Sequence, residues 1–461
     1  MDKKESMMIE INVGEQGSNE SVDVDQQLVS CIRGKLLPKS PLPSRCCIFR
    51  IPISMRVLNE NAFVPNVVSI GPFHSGKTNP GATEADQKKK KNLEAMERVK
   101  WWYLHSLLDR SPTGETNLDG FVKAIRDIEP DCRQCYAEQI SLSSDEFVEM
   151  MVVDGCFIIE LFRKFLCWHS GKEEDTWRVP IGEDDPVFNM SWTYFPLARD
   201  LLLLENQLPL QVLECLWNLT KTDDQQYTLP DQALYFFSSV SLTRSPHCNE
   251  RCDNKHLLGL LRNSLLSSDI EETTNWSWEP IPCVTQLLQA GVKFKMGDQR
   301  DLLNIKFNNG VMEIPPILIQ ESTESVFRNL IAFEQCDHTC TNQITCYAEI
   351  LDFLTDSSKD VDHFRRKGIM QGTRSTEDVA GIFNRLYNGT AMTSFFYGDL
   401  CQQVNEYYKA PWHKWKAILR RDYFNTPWAI LSFSAAIVIL GFTFTQTFFS
   451  ILSYSNPPNQ I

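Results

Sequence analysis

No charged residue occurs between Asn425 and Tyr454, in a chain that is otherwise 23% charged. That gap excludes an ordinary solvated segment. From Trp428 to Leu452 an α-helix reaches roughly 37 Å at ~1.5 Å per residue, enough to cross a ~30 Å hydrocarbon layer with some tilt. Positive charge is scarce as well. Lys and Arg number 45 against 59 Asp and Glu, a net charge of -14, which argues against nonspecific nucleic-acid binding and general adhesion to anionic lipid, and favours protein partners. The start, MDKKESMMIEINVG, lacks the apolar run of a secretory signal, so insertion is expected to depend on the C-terminal segment, as in a tail-anchored protein. The 15 cysteines are odd in number and irregularly spaced, which fits reduced cytosolic thiols better than a disulfide framework. Internal repeats, a His-Glu-x-x-His pair and a nucleophile elbow are all missing, so no catalytic residue is assigned.

The residues flanking the uncharged stretch fit a membrane boundary. Trp428 and Tyr454 stand where amphipathic rings favour the headgroup level, and Pro427 occupies a tolerated early helical position. Lys414, Lys416, Arg420 and Arg421 precede the span and only the uncharged SNPPNQI follows. The positive-inside tendency therefore places the N-terminal part in the cytosol, with a single pass through the plasma membrane or an endomembrane. Four sequons, beginning at Asn189, Asn218, Asn275 and Asn388, would be glycosylation acceptors in the reverse topology.

In chain order, residues 1–43 read as a disordered acidic tail. Glu5, Glu10, Glu15, Glu20, Asp23 and Asp25 come with almost no aromatic content, too little apolar surface to order the segment. A globular region is expected over 44–420, the anchor over 425–454 and a short tail over 455–461. Cys47 to Ile51 and Val67 to Ile70 are β-branched runs between turn formers, expected as short strands. Leu93, Met96, Val99, Tyr103 and Leu107 recur at helical spacing, and so do Phe147, Met151, Ile158, Leu161 and Phe165 around Asp154. Glu205, Asn206 and Gln207 interrupt an apolar helix in RDLLLLENQLPLQVLECLWNL. Buried polar groups need partners, and Arg50 and Arg56 are the candidates for Asp154 and Glu205. Val292 to Met296, Leu303 to Phe307 and Val311 to Ile319 read as strands, with Asn309-Gly310 a favoured hairpin turn. Helices return between Ser325 and Tyr408. The expected fold is thus α+β, predominantly α-helical, with a small antiparallel sheet and one C-terminal transmembrane helix.

Two motifs suggest chemistry. Gly71 to Thr78 satisfies G-x-x-x-x-G-K-[ST] after an expected strand, the pattern of a phosphate loop and hence of a nucleotide-dependent enzyme. Such a loop needs Lys77 and Thr78 to open a helix whose amides face the phosphates. Asn79-Pro80-Gly81 disfavours that helix. Zinc-type ligands occur as Cys132 with Cys135 beside an expected helix start, as His247, Cys248, Cys252 and His256, and as Cys336, His338, Cys340 and Cys346. None has a usual four-ligand spacing, so no metal or cofactor is expected.

A longer set of motifs carries a family resemblance. Arg50-Ile51-Pro52, Arg56, Phe63-Val64-Pro65, Val68 to His74, Asp154 to Glu160, Asp200 to Pro209, Asn329 to Cys336, Asp360-Val361, Gly368-Ile369, Phe383-Asn384 and Arg420 to Leu431 follow one another in order. Together they resemble the plant-specific family called domain of unknown function 247. Gln371 to Thr376 departs from the family pattern, so that turn is expected to be remodelled. The family's Ser-Ile-Gly-Pro-aromatic-His string does not require a following Lys-Thr, which accounts for the phosphate-loop match. The resemblance implies a single-pass C-terminal anchor and no known catalytic activity. Some grass relatives are implicated in pollen-stigma self-incompatibility, which implies recognition or signalling. The expected function is a membrane-anchored interaction protein, not an enzyme, with a protein partner and no nucleic acid.

Overall fold

The computed structural model describes residues 17–37, 40, 42–75, 84–110, 117–170, 181–190, 192–221, 227–244, 246, 253–267, 278–392, 394–412, 415 and 427–455. Met1–Ser44 and Arg45–Ile461 are separate compact units. In the first, α1 (Gly17–Lys35) is helical within the stretch read as a tail. Its side chains from residue 25 onward are exposed, Leu28, Val29 and Ile32 included, so the helix rests on local propensity and buries nothing there. The acidic residues before Gly17 lie outside the described residues.

The second unit is built around one helix. After α2 (Ile53–Arg56) come α3 (Glu84–Arg110), α4 (Leu118–Gln134) and α5 (Ser144–Ser170). Every residue of α5 from 151 to 166 is buried, because α3, α4 and two later helices, α7 (Leu210–Thr220) and α8 (Leu229–Phe237), surround it. A helix enclosed on all sides reads as apolar all round. The four charged side chains within that buried stretch are therefore held by partners. Asp154 meets Lys100, Glu160 takes both terminal nitrogens of Arg110, Lys164 meets Asp185, and Arg163 donates to Thr220.

Two short runs expected as strands are not strands. Cys47 to Ile51 contributes one isolated bridge, Ile48 to Tyr136, and Val67 to Ile70 forms no ladder. Side chains take up the amides of the second run, as set out below, leaving no strand partner to seek. The LLLLENQLP stretch corrects the helix expectation in a similar way. Helix α6 (Tyr194–Asp200) ends before it and α7 begins after it, so Glu205, Asn206 and Gln207 lie in a buried turn. Pro209 favours that break because it restricts the residue before it away from helical geometry.

Helices α9 (Leu257–Leu265) and α10 (Val284–Gln289) lead to β1 (Lys293–Met296), β2 (Lys306–Asn308) and β3 (Val311–Ile314). Asn309 and Gly310 turn the hairpin at φ 49° and 76°, a conformation those residues adopt at little cost. The expected antiparallel sheet is in fact mixed. The β2–β3 hairpin is antiparallel, but β1 lies parallel on the far side of β3, because the chain crosses over before the hairpin starts. A second, parallel pair joins β4 (Ile317–Ile319) to β5 (Met370–Gly372). Between them run α11 (Thr323–Cys336), α12 (Gln343–Leu354) and α13 (Ser358–Arg366), followed after β5 by α14 (Thr376–Leu386) and α15 (Gly398–Lys409). Strand β5 opens in the turn where the chain departs from the family pattern.

The last element is α16 (Pro427–Ser455). Its apolar stretch Leu431–Leu452 spans 22 residues and is 0% buried, about 33 Å at ~1.5 Å per residue, the length of a bilayer core. The fold is α+β and predominantly helical, with small sheets and one C-terminal apolar helix.

Candidate functional site: a carboxylate hub beneath an open groove

Three buried carboxylates organise the segment from Arg50 to His74. Asp200 Oδ2 accepts the amides of Asn66, Val67 and Val68 at 2.8, 2.6 and 3.2 Å, and its Oδ1 accepts from Arg199 at 2.8 Å. Asn206 Oδ1 accepts Ile70 N–H at 2.7 Å, while its Nδ2 donates to Val68 O and Asp200 O. Asp154 Oδ2 accepts Gly71 N–H at 2.8 Å and Oδ1 accepts Lys100 Nζ at 2.7 Å. Glu205 accepts Ile51 N–H at 2.7 Å and is flanked by Arg56, by Arg50 at 3.4 Å and by His74 at 3.4 Å. The carboxylates thus replace the strand ladder that these residues lack.

Glu205 has the two arginine partners expected from the sequence; Asp154 does not. Its cation is Lys100, which also donates to Ser69 O and meets Glu97 at 2.6 Å. Nothing marked Lys100 in advance, since it sits among exposed lysines and glutamates on α3 while being 2% exposed itself. Burial pushes the His74 imidazole down to about 4, outweighing the opposing pull of Glu205, so it is neutral at pH 7.

The phosphate-loop candidate opens inside this hub. The Ile70 and Gly71 amides are committed to Asn206 and Asp154. Gly71 has φ +68°, and a Cβ there would meet Gln207 O at 2.7 Å. The glycine is therefore required by the backbone fit to the LLLLENQLP turn, a reason independent of phosphate. Gly76, Lys77 and Thr78 lie outside the described residues.

The metal candidates do not assemble among the described residues, where no group of three potential ligands could hold an ion. Cys132 and Cys135 lie at the end of α4 rather than at a helix start. His256 caps α9, accepting Gly259 N–H at 3.1 Å, and Cys346 donates to Ser394 O at 3.3 Å. His247, Cys248 and Cys252 fall outside the described residues, as do Lys414, Lys416, Arg420 and Arg421.

Above the hub lies an open groove of about 970 Å³. Arg199 connects the two. Besides Asp200 it donates to Asn61 O, to Val64 O at 3.0 Å and to Ser325 Oγ at 3.1 Å, which fixes the groove floor. Trp192 and Phe195 line it while 59% and 53% exposed, and Asn59, Asn61, Asn66 and Gln320 add amides. Ser322 lines it too, with a buried Oγ that has no hydrogen-bond partner among the described residues. Two guanidiniums flank the groove. Arg244 donates to Gln371 at 3.0 Å and Arg374 to Glu321 O at 3.4 Å, so their hydrogen bonds go to neutral oxygens. Of the two lining carboxylates, Glu324 is held by Arg328 and Asn59, which leaves Glu321 as the opposing charge. No sequence signal marks this groove, because its lining comes from five separated stretches without a shared motif.

Comparison with known proteins covers both the hub and the groove. UPF0481 protein At3g47200 of Arabidopsis thaliana is 28% identical over 451 residues, covering 91% of this chain and 89% of that protein. Putative UPF0481 protein At3g02645 of the same plant is 23% identical over 507 residues, covering 88% of this chain and 90% of its own length. No solved structure matches. Residues 48–442 match the model of the DUF247 family, described as plant protein of unknown function, so the match takes in the carboxylate hub and the start of the apolar helix, and the chain belongs to that family.

Proposed function

We propose that the chain is a membrane-tethered interaction protein whose groove receives an acidic, extended segment of a protein partner. The carrying observation is the pair Arg244 and Arg374, two guanidiniums without a carboxylate partner among the described residues, in a chain with net charge -14. Guanidinium matches carboxylate in a bidentate fork. Exposed Trp192 and Phe195 offer anchors of the kind that dominate interface energetics, and side-chain amides complement an extended backbone. Helix α16 supplies the tether, and the basic residues before it favour a cytosolic groove. One sequon fits that orientation. Thr220, the third residue of the Asn218 triplet, is buried and its hydroxyl is bonded to Leu216 O and Arg163.

A fluorescent peptide of alternating Glu and aromatic residues, titrated into detergent-solubilised full chain, tests the groove. Saturable binding that is lost in Arg244→Glu/Arg374→Glu supports the proposal; equal binding by a Lys-substituted peptide, or no effect of the double variant, rejects it. Saturable nucleotide binding lost in Lys77→Ala would instead revive the phosphate-loop reading. Protease protection on intact microsomes tests the tether: an N-terminal tag should be digested without detergent, and protection with glycosylation would reverse the orientation.

A further inference from the structure

We propose that Cys47 and Cys135 are a redox-modification site, closing into a disulfide when the protein meets a small peroxide. The geometry comes from the isolated bridge. Ile48 and Tyr136 pair in parallel, the amides of Cys47 and Ile48 both lie 2.9 Å from Cys135 O, and Ala137 N–H donates back to Ile48 O at 3.0 Å. Cys47 therefore lies directly against Cys135, which caps the end of α4 in helical conformation. Backbones joined by such a bridge run ~4.8 Å apart, inside the roughly 4.4 to 6.8 Å Cα range of disulfides. The Cys135 S–H donates to Asp131 O at 3.5 Å, and the two thiols are close enough to shift each other's titration.

The surroundings hold this pair and engage one of its rivals. His256 accepts Gly259 N–H on Nδ1 at 3.1 Å, so its proton sits on Nε2, which donates to Cys47 O at 3.1 Å. Cys132 is engaged by Gln211 at 3.2 Å, whereas Cys46, beside Asp337, also faces Cys135 and is the rival that the test must separate. Roles also divide. Cys135 is the more accessible thiol, 8% exposed against 2% for Cys47, and it faces the cations Arg45 and Lys255. Cys135 is accordingly the first nucleophile and Cys47 the resolving thiol.

The chemistry balances with hydrogen peroxide as oxidant. The Cys135 thiolate attacks one peroxide oxygen and the O–O bond breaks, giving Cys135 sulfenic acid and hydroxide. Cys47 sulfur then attacks Cys135 sulfur, the S–O bond breaks, and water leaves with the Cys47 proton. Two thiols are oxidised by two electrons and the peroxide is reduced to two waters. The product fastens the segment entering the carboxylate hub to the end of α4, and a reducing cytosol reverses it.

Peptide mapping decides the matter. Reduced full chain in detergent is treated with hydrogen peroxide, its remaining thiols are capped with N-ethylmaleimide under denaturing conditions, and it is digested without reductant. The expected product is a dithiothreitol-sensitive peptide joining Cys47 to Cys135, with a melting temperature raised by about 5 °C. Cys46→Ser should leave the cross-link intact, and Cys47→Ser should abolish it. Joining of Cys135 to Cys46, Cys132 or Cys336 overturns the proposal, as does recovery of both thiols capped at a dose that oxidises other cysteines.

Discussion

The carboxylate hub and helix α12 bury acidic groups in opposite ways. In the hub, Asp154, Asp200 and Glu205 each have a cation and at least one backbone amide. On α12, Glu349 is 5% exposed, yet its Oε2 has no hydrogen-bond partner among the described residues, and burial followed by Asp352 pushes its carboxyl up to about 7. Gln343 Oε1 and Tyr347 Oη on the same helix are likewise without partners there. The difference teaches what a buried charge does. In the hub it replaces hydrogen bonds that no strand supplies; on α12 it is a group that the fold tolerates by keeping it partly protonated.

The largest effect should come from breaking the hub. Substituting Asp154 with Ala leaves buried Lys100 only Glu97 and Ser69 O and frees the Gly71 amide, and substituting Glu205 takes the carboxylate from Arg56, leaves Arg50 only Glu138, and frees the Ile51 amide. A loss of ~3–5 kcal/mol is expected for each. Denaturant unfolding of the detergent-solubilised chain measures it, and a change near zero at unaltered fold would show that the pairing does not hold the segment.

A second effect is a pH slope localised to His74. Its folded-state affinity for a proton lies below the unfolded one, so its contribution is fully present above about 6.5 and is lost as pH falls toward about 4. Thermal melts over that window should show a decline of ~2 kcal/mol attributable to this group. In His74→Gln the decline should flatten. An unchanged slope would assign the acid sensitivity elsewhere, His256 being the next candidate because burial holds it down to about 3.

Glu349 should behave with the reverse sign. Its carboxyl is raised above the unfolded value near 4.5, so its contribution is greatest below that value and is lost as pH rises through about 7. Glu349→Gln is expected to gain roughly 1–2 kcal/mol at pH 8 relative to the parent and little at pH 4.5. Equal gains at both pH values would mean that packing, not charge, sets the difference.

How much of this was legible varied with the kind of signal. Helical periodicity located α3 and α5 and the C-terminal helices, because long apolar stripes are local and redundant. Asn309-Gly310 located the hairpin, and the uncharged run located α16. Strands were over-read at Val67 to Ile70 because β-branched residues suit any extended backbone, and the sequence does not say whether a strand or a carboxylate will take the amides. Lys100 was hidden by its exposed neighbours on α3. The parallel partner of β4 was hidden too, since β5 is three residues long and includes Gly372. In the hub, Glu205 with Arg50 and Arg56 was legible as a need for partners, while the groove was not, because a surface built from five separated stretches leaves no spacing to find.

The smallest stability effect should come from the groove, and that is what separates it from the hub. Arg244 is exposed and Arg374 half-buried, each donating to a neutral oxygen rather than to a buried charge. Truncating either therefore leaves no unpaired ion in the core, and Arg244→Ala and Arg374→Ala should each change unfolding stability by less than about 0.5 kcal/mol. Arg199→Ala, in the same groove but tied to Asp200, Asn61 O, Val64 O and Ser325, should behave like a hub residue instead. Parallel melts of the three variants make the distinction: a small shift for Arg244 and Arg374 with a large one for Arg199 marks the two guanidiniums as free of structural duty. If Arg244→Ala or Arg374→Ala destabilises as much as Arg199→Ala, these side chains belong to the scaffold, and loss of peptide binding in the charge-reversed pair would no longer identify them as contacts to a partner.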